Sequence, residues 1–198
     1  MPVMQEQDTG RGKAVNEANI LLLRSIVTMQ YISRENVGKL TKTLYKRLPK
    51  FPDGRINYRH SRIAPVVNVF VTYKDKTLLL KRSNKVRTYK GMWAPVGGYI
   101  DELRPVREIA LKEIREELGI REEDISTMRI GRAYRFDDRK IGMTWVICPY
   151  FVKLNKRKRI RIDWEHSEYR WVTRSELPKY NILPSLAENP DRIKRLLT

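Results

Sequence analysis

Cysteine and histidine are nearly absent from this chain of 198 residues: there is one cysteine, Cys148, and there are two histidines, His60 and His166. A single thiol builds neither a disulfide framework nor a cysteine-based zinc site. Two histidines far apart in sequence give no histidine-rich metal motif and no nucleophile triad. Cys148 sits in an apolar stretch and reads as a core thiol. Long apolar runs are missing as well. Ile20 to Leu23 is among the longest, against the ~20 residues that cross a bilayer. Met1 to Arg11 is mixed and polar, without the apolar stretch of a secretory leader. These absences lead us to expect a cytoplasmic protein with no membrane partner.

Acid is scarce relative to base. Lys and Arg total 41 and Asp and Glu total 23, a net charge of +18. Heat-adapted surfaces explain abundant charge of both signs, but not an excess of one. The field of such a chain draws polyanions: nucleotides, nucleic acid or acidic surfaces. The densest run is Lys153 to Arg161, with six basic residues in nine and no acid. It reads as a solvated tip or as a contact for a phosphate backbone, RNA included. Trp145, Tyr150 and Tyr134 lie on neighbouring expected strands, where core packing competes with base stacking.

What is present divides the chain in two. Residues 1–13 read as disordered. Residues 14–48 carry apolar positions at helical spacing, among them Leu22, Ile26, Val37, Leu40 and Leu44. Ser33 fits a helix cap. Pro49, Pro52 and Gly54 then stop the pattern. We expect residues 1–60 to form a helical extension, a helical hairpin used for packing or homodimer formation, and residues 61–198 to form the main domain. From Ala64 the chain becomes strand-like: Val66 to Tyr73, then Thr77 to Lys81 across an Asp75-Lys76 turn. Residues 84–92 read as a loop and Gly97-Gly98 as a tight turn. Pro105 and Gly119 bracket a helix. Strands are expected at 128–136, 143–152 and 169–172. Ser175 fits the cap of a short helix, and Pro190 or Asp191 the start of a last one.

The helix over 105–118 carries the chemistry. Leu111, Ile114 and Leu118 mark a buried stripe, extended by Val106 and Ala110. Glu113, Glu116 and Glu117 share another face. Three carboxylates on adjacent turns repel one another unless a cation lies between them, and hard ions such as Mg²⁺ or Mn²⁺ accept such oxygens. A solvated face is the competing reading. Arg104, Glu108, Lys112 and Glu116 alternate in sign every four residues, which suits exposed ion pairs such as Glu108 with Lys112.

The surrounding residues favour the first reading. The stretch from Gly98 to Ile120 resembles the Nudix box, G-x5-E-x7-R-E-U-x-E-E-x-G-U with U aliphatic. Gly98, Glu113, Ile114, Glu116, Glu117, Gly119 and Ile120 match. Leu78 to Ser83, Trp93 and Trp164 to Val172 are similar to the family's flanks. The resemblance implies an α/β fold, the Nudix α/β/α sandwich with a mixed sheet. It also implies a Mg²⁺- or Mn²⁺-dependent hydrolase of a nucleoside diphosphate linked to another group. By position, Glu116 and Glu117 would ligate the metal with the Gly97 carbonyl. Glu113 would be a ligand or the base that activates water, Glu165 a further ligand with Glu168 as second choice, and Arg82 a contact to substrate phosphates. Two positions depart: Arg104 stands where the family has Glu, and Lys112 where it has Arg. Lysine keeps the charge but loses the planar fork. Asp101 and Glu102 lie close enough in sequence to stand in for the lost acid. A nucleotide-binding or RNA-binding module with weakened chemistry is the alternative expectation. No cysteine precedes the box, which separates this chain from the isopentenyl diphosphate isomerases of that fold.

Overall fold

The computed structural model describes residues 31–187. The expected disorder of residues 1–13, the first half of the helical extension and the last helix at Pro190 or Asp191 lie outside these residues.

A short strand, β1 (Tyr31–Ile32), opens the described chain and leads into helix α1 (Arg34–Arg47). Ser33 caps α1 as expected, its hydroxyl accepting from the Asn36 N–H at 3.2 Å. Tyr31–Ile32 is a correction to the helical reading. The pair bonds to a later strand, β7 (Ala133–Asp138), with Ile32 opposite Ala133. Ile32, Val37, Leu40 and Leu44 are buried in the same core as the rest of the fold.

The main sheet holds nine strands among the described residues. Its centre is the long β2 (Ile63–Tyr73), lying parallel to β8 (Met143–Leu154). β3 (Lys76–Arg82), β5 (Val96–Tyr99) and β9 (His166–Thr173) join antiparallel, as do the short β4 (Trp93–Ala94) and β6 (Ile125–Ile130). The mixed sheet agrees with the expected fold class. Helix α2 (Val106–Leu118) covers one face, and a four-residue helix, α3 (Pro184–Ala187), closes the described chain.

Burial follows residue parity along the strands. Val67 and Val69 of β2 join Ile109, Ala110, Ile114 and Leu118 of α2 in the larger core, while Phe70 joins Leu79, Trp93 and Leu186 in a smaller one. The α2 stripe thus turns slightly from expectation: Ile109 is fully inside and Leu111 only half-buried. Gly119 ends the helix in the left-handed region, φ 68°, its N–H on the Arg115 carbonyl. Pro105 is the cap itself, not the first helical residue.

Three other expectations change. The strand expected over 128–136 is two strands, broken where Gly131 bonds to the Pro149 carbonyl at 2.8 Å. Ser175 does not cap; the short 3-10 turn Leu177–Lys179 starts after Glu176, whose carboxylate accepts from the Thr173 N–H at 2.7 Å. Gly97 and Gly98 form no turn. Both lie in β5, paired with Asn68 and Val67. Their need for glycine is close approach. A Cβ on Gly97 would stand 2.5 Å from the Val67 carbonyl oxygen, and one on Gly98 would collide with the Glu113 carboxylate. Among the described residues no helix is long and apolar enough to cross a membrane.

Candidate active site

The two glycines let α2 press its acidic rim against β5, and a cleft of about 260 Å³ opens there. Its floor follows from strand register. Val66 and Asn68 on β2 stand opposite Tyr99 and Gly97 on β5, and Val66 stands beside Ile147 on β8. All five line the cleft, as do Arg82, Glu113, Glu116 and Glu165.

The glutamates of α2 do not share one environment. Glu116 is exposed, Glu113 is half-buried and Glu117 is only 4% exposed. Burial pushes the Glu113 carboxyl up to about 7, and the neighbouring Glu116 charge adds to this. Glu117 is raised well above the ordinary value, first by burial and then by the charges of Glu113, Glu165 and Asp163. The two carboxyls share a hydrogen bond, so without a cation one of them carries a proton. The Glu117 Oε2 atom is buried with no hydrogen-bond partner. An unsatisfied buried carboxyl oxygen among like charges calls for a proton or a cation.

His166 supplies neither in full. Its ring is buried, and its Nδ1 lies 3.7 Å from Glu117 Oε2, beyond hydrogen-bonding range, and 3.3 Å from Asp163 Oδ1. Burial lowers its pKa, so the neutral ring is favoured. Sequence spacing gave no sign of this proximity; β9 brings His166 in from beyond the basic run. Glu165 enters by the same loop. The Ser83 N–H bonds to its carbonyl at 2.7 Å, and its carboxyl is raised by burial and by Asp163, opposed by Arg82. Glu168 points into other company, with Lys81 at 3.7 Å and Arg170 as ion-pair partners. Arg82 is half-buried and steered by a bond from its Nε to the Thr88 carbonyl at 3.0 Å.

These residues fit a hard divalent cation by their chemistry: carboxyl oxygens, one of them orphaned, around a glycine-lined edge. Among the described residues, no group of three His, Cys, Asp or Glu side chains stands, as placed here, ready to hold a metal ion. Glu113 and Glu117 are turned to each other instead.

The departures at Arg104 and Lys112 have a structural answer. Lys112 does not pair with Glu108. Its Nζ lies 2.7 Å from Glu102 Oε1, and Arg104 Nε lies 2.8 Å from Glu102 Oε2. One carboxylate thus holds both cations, and they keep its pKa low. The pairing matters because Lys112 also feels the Glu116 charge. Held by Glu102, its ammonium is kept from settling among the carboxylates. Asp101 lines the cleft nearby, but burial raises it and Arg55, at 3.6 Å, opposes that rise.

Two cleft residues carry no signal in the sequence. Asn68 is 8% exposed, and its carboxamide makes no hydrogen bond within the protein among the described residues. Tyr99 is a large aromatic residue at the mouth. Cys148 lies buried, its thiol pushed up to about 12, away from any nucleophilic role. Of the basic run, Lys158 is tied to Asp124 at 2.8 Å, and Arg157, Arg159 and Arg161 are exposed.

Comparison with known proteins places this geometry. The model of the NUDIX domain matches residues 62–196. The nucleoside triphosphatase NudI of Klebsiella pneumoniae is 28% identical over 112 residues, 53% of this chain and 78% of that one. The m7GpppN-mRNA hydrolase NUDT17 of Xenopus laevis is 32% identical over 56 residues, 28% of this chain; the match spans only 19% of that protein. Among solved structures, the MutT protein of Methanosarcina mazei Go1 superposes with a TM-score of 0.56 at 22% identity, over 69% of this chain and 96% of that one. A C. elegans Ap4A hydrolase binary complex gives 0.55 at 18%, over 68% and 97%. At these identities the structural likeness speaks for the fold.

Proposed function

The chain belongs to the NUDIX domain family, and on that premise we propose that it is a Mg²⁺- or Mn²⁺-dependent hydrolase that cleaves the pyrophosphate bond of a nucleoside diphosphate linked to another group. The observation that carries this reading is the Glu113–Glu117 carboxyl pair, with the orphan Oε2 of buried Glu117 behind a cleft lined by Glu113 and Arg82. Glu116 and Glu117, with Glu113, Glu165 and the Gly97 carbonyl, would hold the cation. When bound, the cation neutralises charge on the phosphates and makes water more acidic.

The chain's own residues divide the remaining work. Arg82 binds a phosphate oxygen through charge-assisted hydrogen bonds, its guanidinium aimed by the Thr88 carbonyl. Glu113, the more accessible of the carboxyl pair, takes the proton as a water oxygen attacks phosphorus. The bridging P–O bond breaks, and its electron pair leaves with the departing phosphate. Glu102 holds Lys112 and Arg104, which keeps the rim of α2 available to the cation. The wall of Val66 and Ile147 limits water around the substrate.

A panel of nucleoside triphosphates, dinucleoside polyphosphates and nucleotide sugars, each with Mg²⁺ or Mn²⁺, tests the reading. Turnover of at least one that stops on chelation and collapses in Glu117→Gln is the expected result. Absence of turnover on all of them at high enzyme concentration overturns it.

A further inference from the structure

The end of the cleft away from the glutamates is aromatic. Tyr99 is 39% exposed, yet its ring is not loose. Tyr58 stacks behind it with centroids 5.2 Å apart and planes at 19°. Tyr58 is itself buried, and its hydroxyl donates to the Ile100 carbonyl at 2.7 Å. One face of Tyr99 is therefore backed by protein, while part of the residue stays exposed at the cleft.

Trp145 forms the adjoining wall, 6.0 Å from Tyr99 between centroids with planes at 38°. Its indole N–H donates to the Tyr89 hydroxyl at 2.9 Å, which donates to Asp138 Oδ2 at 2.8 Å. Asp138 is buried, and its other oxygen accepts from the Lys140 N–H at 2.9 Å. Tyr89 sits at φ 56°, a left-handed conformation that bulky residues rarely adopt. Such an outlier persists where the surroundings over-determine it. Here the chain from Trp145 through Tyr89 to Asp138 does so, and it places a third ring on the cleft wall.

A pre-ordered ring with one backed face and positive charge beside it is a stacking platform for a flat, electron-rich group. Arg82 and Arg87 both act electrostatically on Tyr99, so a phosphate held by Arg82 lies close to this platform. We propose that Tyr99, walled by Trp145 and Tyr89, is the nucleobase-stacking site of this cleft. The assignment rests on the nucleotide reading above and names the part of the substrate that the aromatic end takes. Tyr134 and Tyr150 are core residues, 1% and 5% exposed, and have no part in it.

The test is binding, not turnover. The full chain with Mg²⁺ is titrated with an α,β-methylene nucleoside triphosphate and, separately, with inorganic tripolyphosphate, which has no base. Wild type, Tyr99→Phe and Tyr99→Ala are compared. Stacking on an aromatic ring predicts that Tyr99→Ala weakens nucleotide binding by about tenfold or more. Tyr99→Phe keeps it, and tripolyphosphate binds all three alike. Because the Phe variant retains the ring, it separates lost stacking from lost folding. The site is overturned if Tyr99→Ala binds the nucleotide as wild type does, or if it loses tripolyphosphate equally. A wild type that binds the nucleotide no more tightly than tripolyphosphate also overturns it, while leaving pyrophosphate cleavage standing. Tyr99-dependent nucleotide binding without any cleavage supports the stacking site and removes the hydrolase.

Discussion

Glu102, just before helix α2, and Glu117, within its last turn, meet opposite fates. Glu102 lies before α2, partly exposed, and is bonded to both Lys112 and Arg104. Its partners favour the charged form. Glu117 lies near the end of α2, enclosed, facing the like charge of Glu113 and with one oxygen unpaired. Its surroundings favour the neutral form. The first arrangement is complete within the chain. The second is incomplete, and incompleteness is what marks a binding site: the protein has buried a carboxyl oxygen that it leaves without a partner.

The largest test of this contrast is Glu117→Gln. Cleavage should fall by on the order of 100-fold or more. The metal-free protein should melt at a higher temperature, because a neutral amide replaces a carboxyl whose ionised form is disfavoured. Activity and stability moving in opposite directions distinguishes a functional carboxylate from a structural one. If both fall together, the contrast fails.

The next test is pH. In the metal-free protein, Glu113 and Glu117 both titrate above the ordinary 4.5. Above that pH the folded state holds more protons than the unfolded chain. The contribution of this pair to stability is therefore full below pH 4.5 and is lost as pH rises through about 7, the Glu113 value. Thermal melts in chelator should show this slope. Glu113→Gln should flatten it, and millimolar Mn²⁺ should offset it by binding the ionised form. A metal-free difference in melting temperature between wild type and Glu113→Gln that stays constant over this range removes the premise.

A smaller effect is expected at the balanced end. In Glu102→Gln, Lys112 loses its partner and its ammonium turns toward Glu116. Mn²⁺ affinity, measured by calorimetry, should weaken by about tenfold. An unchanged affinity would mean that the Glu102 pair is surface decoration. The smallest effect belongs to the basic run. Arg157→Ala with Arg159→Ala should change stability by within about 0.5 kcal/mol and leave cleavage of a small nucleotide unaltered at fixed salt. A substantial loss of turnover there would move the working surface beyond the cleft.

Much of this was legible from residue order. The helix over 105–118 and its glycine stop were visible from apolar spacing, because both depend on neighbours within two turns. Ser33 was visible as a cap for the same reason. The family resemblance gave roles to Glu113, Glu116, Glu117, Arg82 and Glu165 by position, and all of these but Glu117 line the cleft. The pairing of Lys112 was misread. Spacing along the helix offered Glu108, whereas the chain entering α2 brings Glu102 closer. Gly97 and Gly98 were misread as a turn because glycine signals either a positive φ or a close approach, and composition does not tell which.

What the sequence alone determined is therefore local and repetitive: helix α2, its apolar stripe, the long strands and the one-sided charge. These follow from side-chain periodicity and from summed charge, which need no knowledge of distant contacts. Tertiary structure alone decided which glutamate is buried, that His166 and Asp163 stand beside Glu117, and that Tyr99 has Tyr58 behind it. The physical reason is that desolvation and stacking depend on what surrounds a group in space. Strand register brings those surroundings from residues far away along the chain.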